Sequence, residues 1–427
     1  MNLNKPHVGI IGAGASGLVT AWLLEQDFNV TLFEKEDYLG GHIATIPVKV
    51  NGKEYPIEAG AEFFSDMMFP QLNKLLEILK IPTRKYPLSY TFYNTISNHT
   101  LVLPPVQDNQ IVWRSCTPAH WFDLIHFKQF MDKGQLTLDL QDYNLTLRDY
   151  ADKLGLSTEF KEHFLYPFFA ASWGVSSQEI QQFAAYDIIK WVLLNKPANI
   201  YAAHWNEIPG GMSSYVKALT QQLKNTHIIT QCTVNDITRN PNGYTIHTRD
   251  AAIDCNHLVL ATNASIASGL LKNIPSSQPT QDALNAIEYF TAHIAIHGDT
   301  RLLPQNPCDW SAANIAYNNT HSALTISKPW MQKVPLFRSW ITYNVWTTAP
   351  KIVPEPLYAL RTYYHPKVTP TYFETQKKLV QLQGKNKLWI AGFYTHDTDS
   401  HNSAVISAIN IAKRLAPHSA RLLQLSS

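Results

Sequence analysis

Residues 7–17 read His-Val-Gly-Ile-Ile-Gly-Ala-Gly-Ala-Ser-Gly, an apolar run followed at once by a G-x-G-x-x-G turn. The run has the composition of a buried parallel strand. Residues 18–25 continue with apolar side chains at helical spacing, and residues 29–33 form a second apolar run. Strand, glycine turn, helix and strand together predict the first unit of a Rossmann-type fold, which binds a dinucleotide.

Each glycine of the turn has its own expected task. Gly12 permits the tight turn, Gly14 lets the backbone approach a pyrophosphate, and Gly17 lets the helix pack closely on the strand. The helix N-terminus offers N–H groups and the positive end of its dipole to the phosphates. We therefore expect the whole turn to bind the cofactor, through Gly12, Ala13, Gly14, Ala15, Ser16 and Gly17.

An acidic residue follows the second strand. Glu34 stands where a carboxylate accepts hydrogen bonds from both hydroxyls of a ribose. The same charge repels a 2′-phosphate, so NADP is disfavoured. We expect Glu34 and the adjacent Lys35 to contact FAD or NAD.

Two glycine-containing stretches then distinguish FAD from NAD. Residues 39–42 read Leu-Gly-Gly-His, and residues 57–62 read Ile-Glu-Ala-Gly-Ala-Glu. With the turn and Glu34, they resemble the extended signature of FAD-binding amine oxidases, phytoene desaturases and protoporphyrinogen oxidases. The resemblance implies FAD and adds the cofactor contacts Gly40, Gly41, His42, Gly60, Ala61 and Glu62. We expect the FAD to be bound non-covalently, because no Cys or His stands in an evident flavinylation motif. Those families usually carry Arg at the position of His42.

Two later stretches resemble the remaining parts of the same FAD domain. Residues 208–212 read Ile-Pro-Gly-Gly-Met before a helix over 213–223, and the resemblance assigns Val234, on the next strand, to the adenine. Residues 388–392 read Leu-Trp-Ile-Ala-Gly before a helix over about 403–415, which implies that Gly392, Ala404 and Val405 cradle the flavin ring.

The resemblance therefore implies an α/β protein with a discontinuous FAD-binding domain. This Rossmann-type, GR2-like domain comprises residues 1–85, 206–265 and 385–427. An α+β substrate domain comprises residues 86–205 and 266–384.

Within this superfamily, the sequence is most similar to bacterial predicted NAD/FAD-binding amine-oxidase-like flavoproteins, which are often found with cyclopropane-fatty-acid synthases. The similarity rests on residues 164–173, 205–216, 297–310, 364–366 and 383–392. That group carries Phe-His-Glu-Asp-Gly before its last helix. Residues 400–404 here read Ser-His-Asn-Ser-Ala, so the histidine is kept and both acids are absent.

Composition excludes several other classes of protein. Hydrophobic residues make up 45% of the chain and charged residues 16%, as in globular enzymes, and the formal net charge is +2. No Lys/Arg block predicts a nucleic-acid partner. No apolar run is long enough for a membrane span, although peripheral membrane contact stays open. Few residues precede the first strand, so no secretion signal fits. The four cysteines have no metal-ligand spacing. We expect a cytoplasmic protein without a metal site.

The favoured function is an FAD-dependent oxidoreductase that removes a hydride from a small apolar or amine substrate. Aromatic residues are dense in the substrate domain and favour an apolar cavity. The alternatives are a flavoprotein with structural or sensing FAD and no turnover, and an NAD-dependent dehydrogenase. The sequence assigns no catalytic residue. Those to test are Trp173, His297, Asp299 and His401, each of which also has a purely structural explanation. Many members of the superfamily use a Lys–water bridge to flavin N5, and Lys328 falls in the segment where such a lysine would lie. The residues around it do not match, so Lys328 is interpreted as a surface lysine and is not assigned a role.

Overall fold

The computed structural model of the chain describes residues 5–107, 110–195, 204–318, 322–328, 330–331, 333–341 and 354–426. In chain order, its strands are β1 (His7–Ile11), β2 (Asn29–Phe33), β3 (Thr45–Val50), β4 (Lys53–Glu58), β5 (Arg84–Pro87), β6 (Tyr90–Asn94), β7 (Thr100–Leu103), β8 (Val106–Gln107), β9 (Gln110–Ile111), β10 (His204–Glu207), β11 (Thr226–Ile229), β12 (Val234–Asn240), β13 (Gly243–Thr248), β14 (Ala252–Cys255), β15 (His257–Leu260), β16 (Tyr289–His297), β17 (Ala313–Tyr317), β18 (Ser322–Ile326), β19 (Phe337–Ile341), β20 (Leu357–Pro366) and β21 (Leu388–Ile390).

The α-helices are α1 (Ala15–Leu24), α2 (Pro70–Ile78), α3 (Pro118–Asp139), α4 (Leu147–Lys153), α5 (Thr158–Phe160), α6 (Tyr166–Trp173), α7 (Ser177–Ile180), α8 (Ala185–Leu194), α9 (Ser213–Gln222), α10 (Ala264–Leu270), α11 (Gln278–Asn285), α12 (Pro370–Leu382), α13 (His401–Leu415) and α14 (Ala420–Ser426). Single-turn 3₁₀ segments and one π-helical turn, Lys161–Leu165, connect several of them.

A parallel five-stranded sheet forms the first half of the architecture. Its strand order is β11-β2-β1-β15-β21, and every pairing in it is parallel. Most residues of its central strands are fully buried, which explains why those strands read as continuous apolar runs. Helix α1 returns the chain from β1 to β2 and packs against α13. The predicted Rossmann-type unit is confirmed.

The five strands come from three separate stretches of the chain. Strands β1 and β2 are N-terminal, β11 and β15 are central, and β21 lies near the C-terminus. This agrees with the order expected of a discontinuous domain, and the boundaries given above stay our proposal. An antiparallel sheet of β12, β13 and β14 is inserted between β11 and β15.

A seven-stranded mixed sheet forms the second half. Its order is β20-β16-β19-β18-β17-β6-β7, in which β17 and β6 are parallel and the other neighbours antiparallel. Helix α6 packs on β17 and β18. This sheet and the helix packed on it combine α and β elements, and their assignment to a substrate domain stays our proposal. Among the described residues, no helix combines the length and apolarity needed to cross a membrane.

The last long helix begins earlier than expected. Helix α13 starts at His401 rather than near residue 403, because Ser400 caps it and accepts a hydrogen bond from the Ser403 N–H at 3.1 Å. This cap fixes where the helix N-terminus meets the cavity described next.

Candidate functional site

A cavity of about 670 Å³ is lined by residues from both halves of the fold. Its volume lies within the range of sites that enclose a cofactor or a drug-sized ligand. Of the residues expected to bind the cofactor, those that line it are Gly12, Gly14, Ala15, Ser16, Glu34, Lys35, Gly40, Gly41, His42, Gly60, Ala61, Glu62, Val234, Gly392 and Ala404.

Three other residues that we expected to bind the cofactor do not line the cavity. The side chains of Ala13 and Val405 are fully buried in the core, and Gly17 lies inside helix α1. Ala13 still faces the site through its backbone, because its N–H donates to Glu34. Gly17 and Val405 contribute packing behind the lining.

The three glycines of the turn have different geometric reasons for being glycine. Gly12 has φ +101°, and a Cβ there would lie 2.5 Å from the carbonyl oxygen of Ala261. A Cβ on Gly17 would lie 1.9 Å from the carbonyl oxygen of Gly12. Gly14 has an ordinary φ of −72°, and the nearest atom to its Cβ position is 4.0 Å away. The backbone therefore requires Gly12 and Gly17, whereas Gly14 has neighbouring space, as a position that faces a pyrophosphate needs.

Glu34 is held in place by the turn it follows. One carboxylate oxygen accepts the Ala13 N–H at 2.8 Å, and the other accepts the Glu36 N–H at 3.0 Å. A carboxylate has about four acceptor positions, so about two stay available for ribose hydroxyls. Lys35 is placed differently, with an exposed ammonium 3.2 Å from Glu36. These contacts fit the nucleoside end of FAD.

The paired glycines bring three backbone segments together. The Gly40 N–H donates to the Ala13 carbonyl at 2.9 Å, and a Cβ on Gly41 would lie 3.2 Å from the Cα of Gly14. A Cβ on Gly60 would lie 1.9 Å from the His42 carbonyl oxygen. Close packing between the three backbone segments is therefore sufficient to explain these glycines. An approach to the cofactor would explain them equally well.

His42 cannot replace the charge of an arginine. Burial, with help from His365 and His401, lowers the pKa of His42 to about 3. Its ring stacks on that of His365 at a centroid distance of 5.1 Å. A neutral His42 offers a hydrogen bond but no positive charge to a phosphate or flavin oxygen.

The N-terminus of α13 meets the cavity from the other side. Ser400, His401 and Ala404 line it. Burial lowers the pKa of His401 to about 4, and its Nε2 is hydrogen-bonded to the Tyr215 hydroxyl. The helix dipole, rather than the imidazole, therefore provides positive potential here, which suits the electron-rich edge of a flavin.

Aromatic side chains line another part of the cavity. Trp173 and Trp191 make an edge-to-face pair with centroids 5.7 Å apart, and Trp191 lies 6.0 Å from Trp205. Tyr90 and Trp340 extend this wall. Trp173 therefore lines the cavity, and its role in turnover stays a prediction.

His297 and Asp299 are not among the lining residues. The Asp299 N–H donates to His297 Nδ1 at 3.1 Å, and Nε2 of that ring lies 2.8 Å from the Ser339 hydroxyl. The Asp299 carboxylate binds Arg301. These contacts close the loop after β16, and we leave both residues out of the proposed site.

The interpretation of Lys328 as a surface lysine is wrong. Its side chain is only 3% exposed, and its ammonium contacts the carboxylates of both Glu62 and Glu207. Burial alone would raise the pKa of Glu62, but Lys328 and Arg338 together hold it below its ordinary value. The lysine belongs to a buried ion cluster that reaches the cavity through Glu62.

Two lining residues were missed by the sequence analysis. His365 near the end of β20 and Asp399 before α13 are brought together, with Nδ1 of the imidazole 3.2 Å from the Asp399 carboxylate. The 364–366 stretch carried part of the family resemblance, but no pattern linked it to an acid in a different segment.

The sequence pattern of the family described as flavin-containing amine oxidoreductase matches residues 15–301. No curated protein matches the chain. A CLA-producing fatty acid isomerase from P. acnes is 14% identical over 97% of this chain and 100% of its own, with a TM-score of 0.71. Cyclohexylamine oxidase from Brevibacterium oxydans IH-35A is 15% identical over 96% and 99%, with a TM-score of 0.63. A putrescine oxidase triple mutant is 11% identical over 97% and 99%, with a TM-score of 0.68. At these identities, the structural likeness shows a shared fold.

Proposed function

The chain belongs to the flavin-containing amine oxidoreductase family and is an FAD-dependent oxidoreductase; from this premise, we propose that it oxidises an apolar substrate held against the flavin by an aromatic wall. The family assignment decides against an NAD-dependent dehydrogenase. The observation that carries the substrate proposal is that the glycine turn and the tryptophan pair line one and the same cavity.

On the cofactor side, the chain supplies binding and orientation. Glu34 and the N-terminus of α1 are suited to the ribose and the pyrophosphate. The N-terminus of α13 is suited to the pyrimidine edge of the flavin. When bound, the flavin supplies a two-electron acceptor for a hydride.

On the substrate side, the aromatic wall supplies contact area and excludes water. Large aromatic rings contribute most of the burial energy of apolar ligands, and edge-to-face packing such as that of Trp173 with Trp191 keeps the wall rigid. A water-poor setting also strengthens the fixed dipoles and hydrogen bonds that orient the reacting atoms.

The neighbouring titratable groups favour an apolar substrate over a small diamine. Glu62 is already paired with Lys328 and Arg338, so its carboxylate is not free to bind a substrate ammonium. His42 and His401 are kept neutral by burial, as their lowered pKa values indicate. Asp399, the acid on the cavity wall before α13, is hydrogen-bonded to His365. The rings of Trp173, Trp191 and Trp205 themselves carry no charge.

Anaerobic mixing of the holoprotein with four substrate classes tests this proposal. The compounds are oleic acid, β-carotene in detergent, protoporphyrinogen and the amines cyclohexylamine and putrescine. We expect bleaching of the flavin absorbance by at least one apolar compound and none by putrescine. Photoreduction of the same sample controls for a flavin that cannot be reduced at all.

Reduction by putrescine alone would overturn the apolar assignment. Failure of all these compounds, with normal photoreduction, would count against the proposed substrate classes and favour a flavoprotein without turnover.

A further inference from the structure

A histidine and an aspartate on the cavity wall have the arrangement of a proton acceptor with its positioning carboxylate. His365 is about one quarter exposed, and its Nδ1 lies 3.2 Å from Oδ2 of Asp399. Both residues line the cavity that also holds the glycine turn and the tryptophan wall. They belong to segments that no local sequence pattern connects.

The aspartate fixes which ring nitrogen carries the proton. A carboxylate accepts hydrogen bonds, so Nδ1 of His365 is the donor in this contact. The lone pair of the neutral ring then resides on Nε2. Within the described part of the chain, the only hydrogen bond of this side chain is the one to Asp399. Nε2 is therefore left to act on a ligand in the cavity.

Ring contacts hold the imidazole in this orientation. It lies between His42, stacked at 5.1 Å and 24°, and Phe290, stacked at 5.8 Å and 26°. Phe393, which follows the glycine at the end of β21, contacts it at 6.4 Å. A base must be positioned before it can be effective, and these three rings restrict rotation of the side chain.

We propose that His365 is the general base of the reaction and that Asp399 positions it. This inference rests on the proposed function. Oxidation of an apolar substrate removes two hydrogens, one as a hydride, for which FAD is the oxidant, and one as a proton. His365 Nε2 takes the proton and forms a new N–H bond, while the electron pair of the broken bond becomes part of the new double bond in the product. Asp399 stabilises the resulting imidazolium.

The charged and titratable neighbours are compatible with this role. Among the described residues, the titratable groups that contact the His365 ring are His42 and Asp399. Because burial keeps the pKa of His42 near 3, that ring stays neutral when its neighbour takes up a proton. Behind Asp399 lies Asp187, whose pKa is raised well above its ordinary range by burial and then by Asp399. A neutral Asp187 leaves Asp399 as the negative partner of the imidazole.

The first arm of the test does not require a substrate. Nitrogen-15 NMR of the holoprotein with labelled histidines, with His365→Gln for assignment, reports the tautomer. We expect the Nδ1–H tautomer in the wild type and loss of the tautomer preference in Asp399→Asn. An Nε2–H tautomer in the wild type would overturn the proposal.

The second arm follows anaerobic flavin reduction by whichever of oleic acid, β-carotene and protoporphyrinogen bleaches the flavin fastest. His365→Gln should slow reduction by about 100-fold or more and abolish the fall in rate at low pH. Asp399→Asn should slow it by about tenfold or more, and Asp399→Glu should recover most of the rate and the pH profile. FAD content should be unchanged in each variant.

His293→Gln is the matched control. His293 lies on the neighbouring strand β16 and hydrogen-bonds Thr362 through Nδ1 at 2.9 Å, but it is not part of the lining. The His293→Gln variant should leave the rate of flavin reduction and its pH profile unchanged. A wild-type rate and profile in His365→Gln would refute the assignment. If no compound bleaches the flavin, the proposed function fails. The nitrogen-15 spectrum then still decides whether the His365 ring has the tautomer that the proposal requires.

Discussion

Replacing Gly14 with alanine should separate cofactor binding from folding. Its φ of −72° is one that alanine adopts readily, and the nearest atom to the new Cβ would be 4.0 Å away. The apoprotein should therefore be as stable as the wild type or more stable by about 0.4–1 kcal/mol, because alanine restricts the unfolded chain. The methyl group would, however, extend into the space assigned to the pyrophosphate.

The expected loss of affinity follows from that collision. Inserting a methyl group into a closely packed site usually costs about 1–3 kcal/mol. Since each 1.4 kcal/mol or so is a factor of about ten, the Kd for FAD should rise by roughly 5- to 150-fold. Gly17→Ala provides the contrast, because its Cβ would lie 1.9 Å from the Gly12 carbonyl and should destabilise the apoprotein itself.

Two measurements on each purified variant decide the matter. Flavin fluorescence titration of the apoprotein gives the Kd, and thermal unfolding of the same apoprotein gives its stability. An unchanged Kd in Gly14→Ala would place the pyrophosphate elsewhere. A destabilised Gly14→Ala apoprotein would mean that this glycine serves the turn rather than the ligand.

The remaining predictions concern an acid, a wall residue and a titrating carboxyl. Glu34→Gln should weaken FAD binding about tenfold, because a charge-assisted hydrogen bond becomes a neutral one, and equilibrium dialysis measures this. Trp173→Ala should slow flavin reduction on the order of tenfold with FAD content unchanged, as stopped-flow absorbance would show; unaltered kinetics would assign Trp173 to the core. Burial raises the pKa of Glu58 from 4.5 to about 7. The stabilisation of the folded state by the protonated Glu58 carboxyl is therefore complete below pH 4.5 and is lost as pH rises through 7. The wild type should lose about 2 kcal/mol from this source between about pH 5.5 and pH 8.5, whereas Glu58→Gln should not, and urea unfolding at both values compares them.

The glycine turn was predictable because its determinants are local. Strand β1, the turn, helix α1 and strand β2 are consecutive, and each needs only its own apolar spacing and the steric freedom of glycine. The acid at Glu34 follows from the same unit. The first strand–helix–strand unit of the cofactor half could therefore be derived from one short stretch of sequence, whereas the two later segments were supplied by the family resemblance.

The rest of the site depends on contacts between distant segments. From the sequence alone, Lys328 is interpreted as an ordinary surface lysine. Only the folded chain places the carboxylates of Glu62 and Glu207 beside its ammonium. His365 and Asp399 acquire a relationship only when β20 and the N-terminus of α13 meet at the cavity. No periodicity or spacing encodes such pairs, because long-range packing decides which polar groups face each other.

Release of the chromophore from the purified protein tests the central claim most directly. Acid or heat treatment followed by chromatography should yield FAD at about one equivalent per chain, since no covalent attachment is expected and one cavity accommodates it. Recovery of NAD alone, or of no nucleotide from a folded protein that also fails to take up added FAD, would contradict the account.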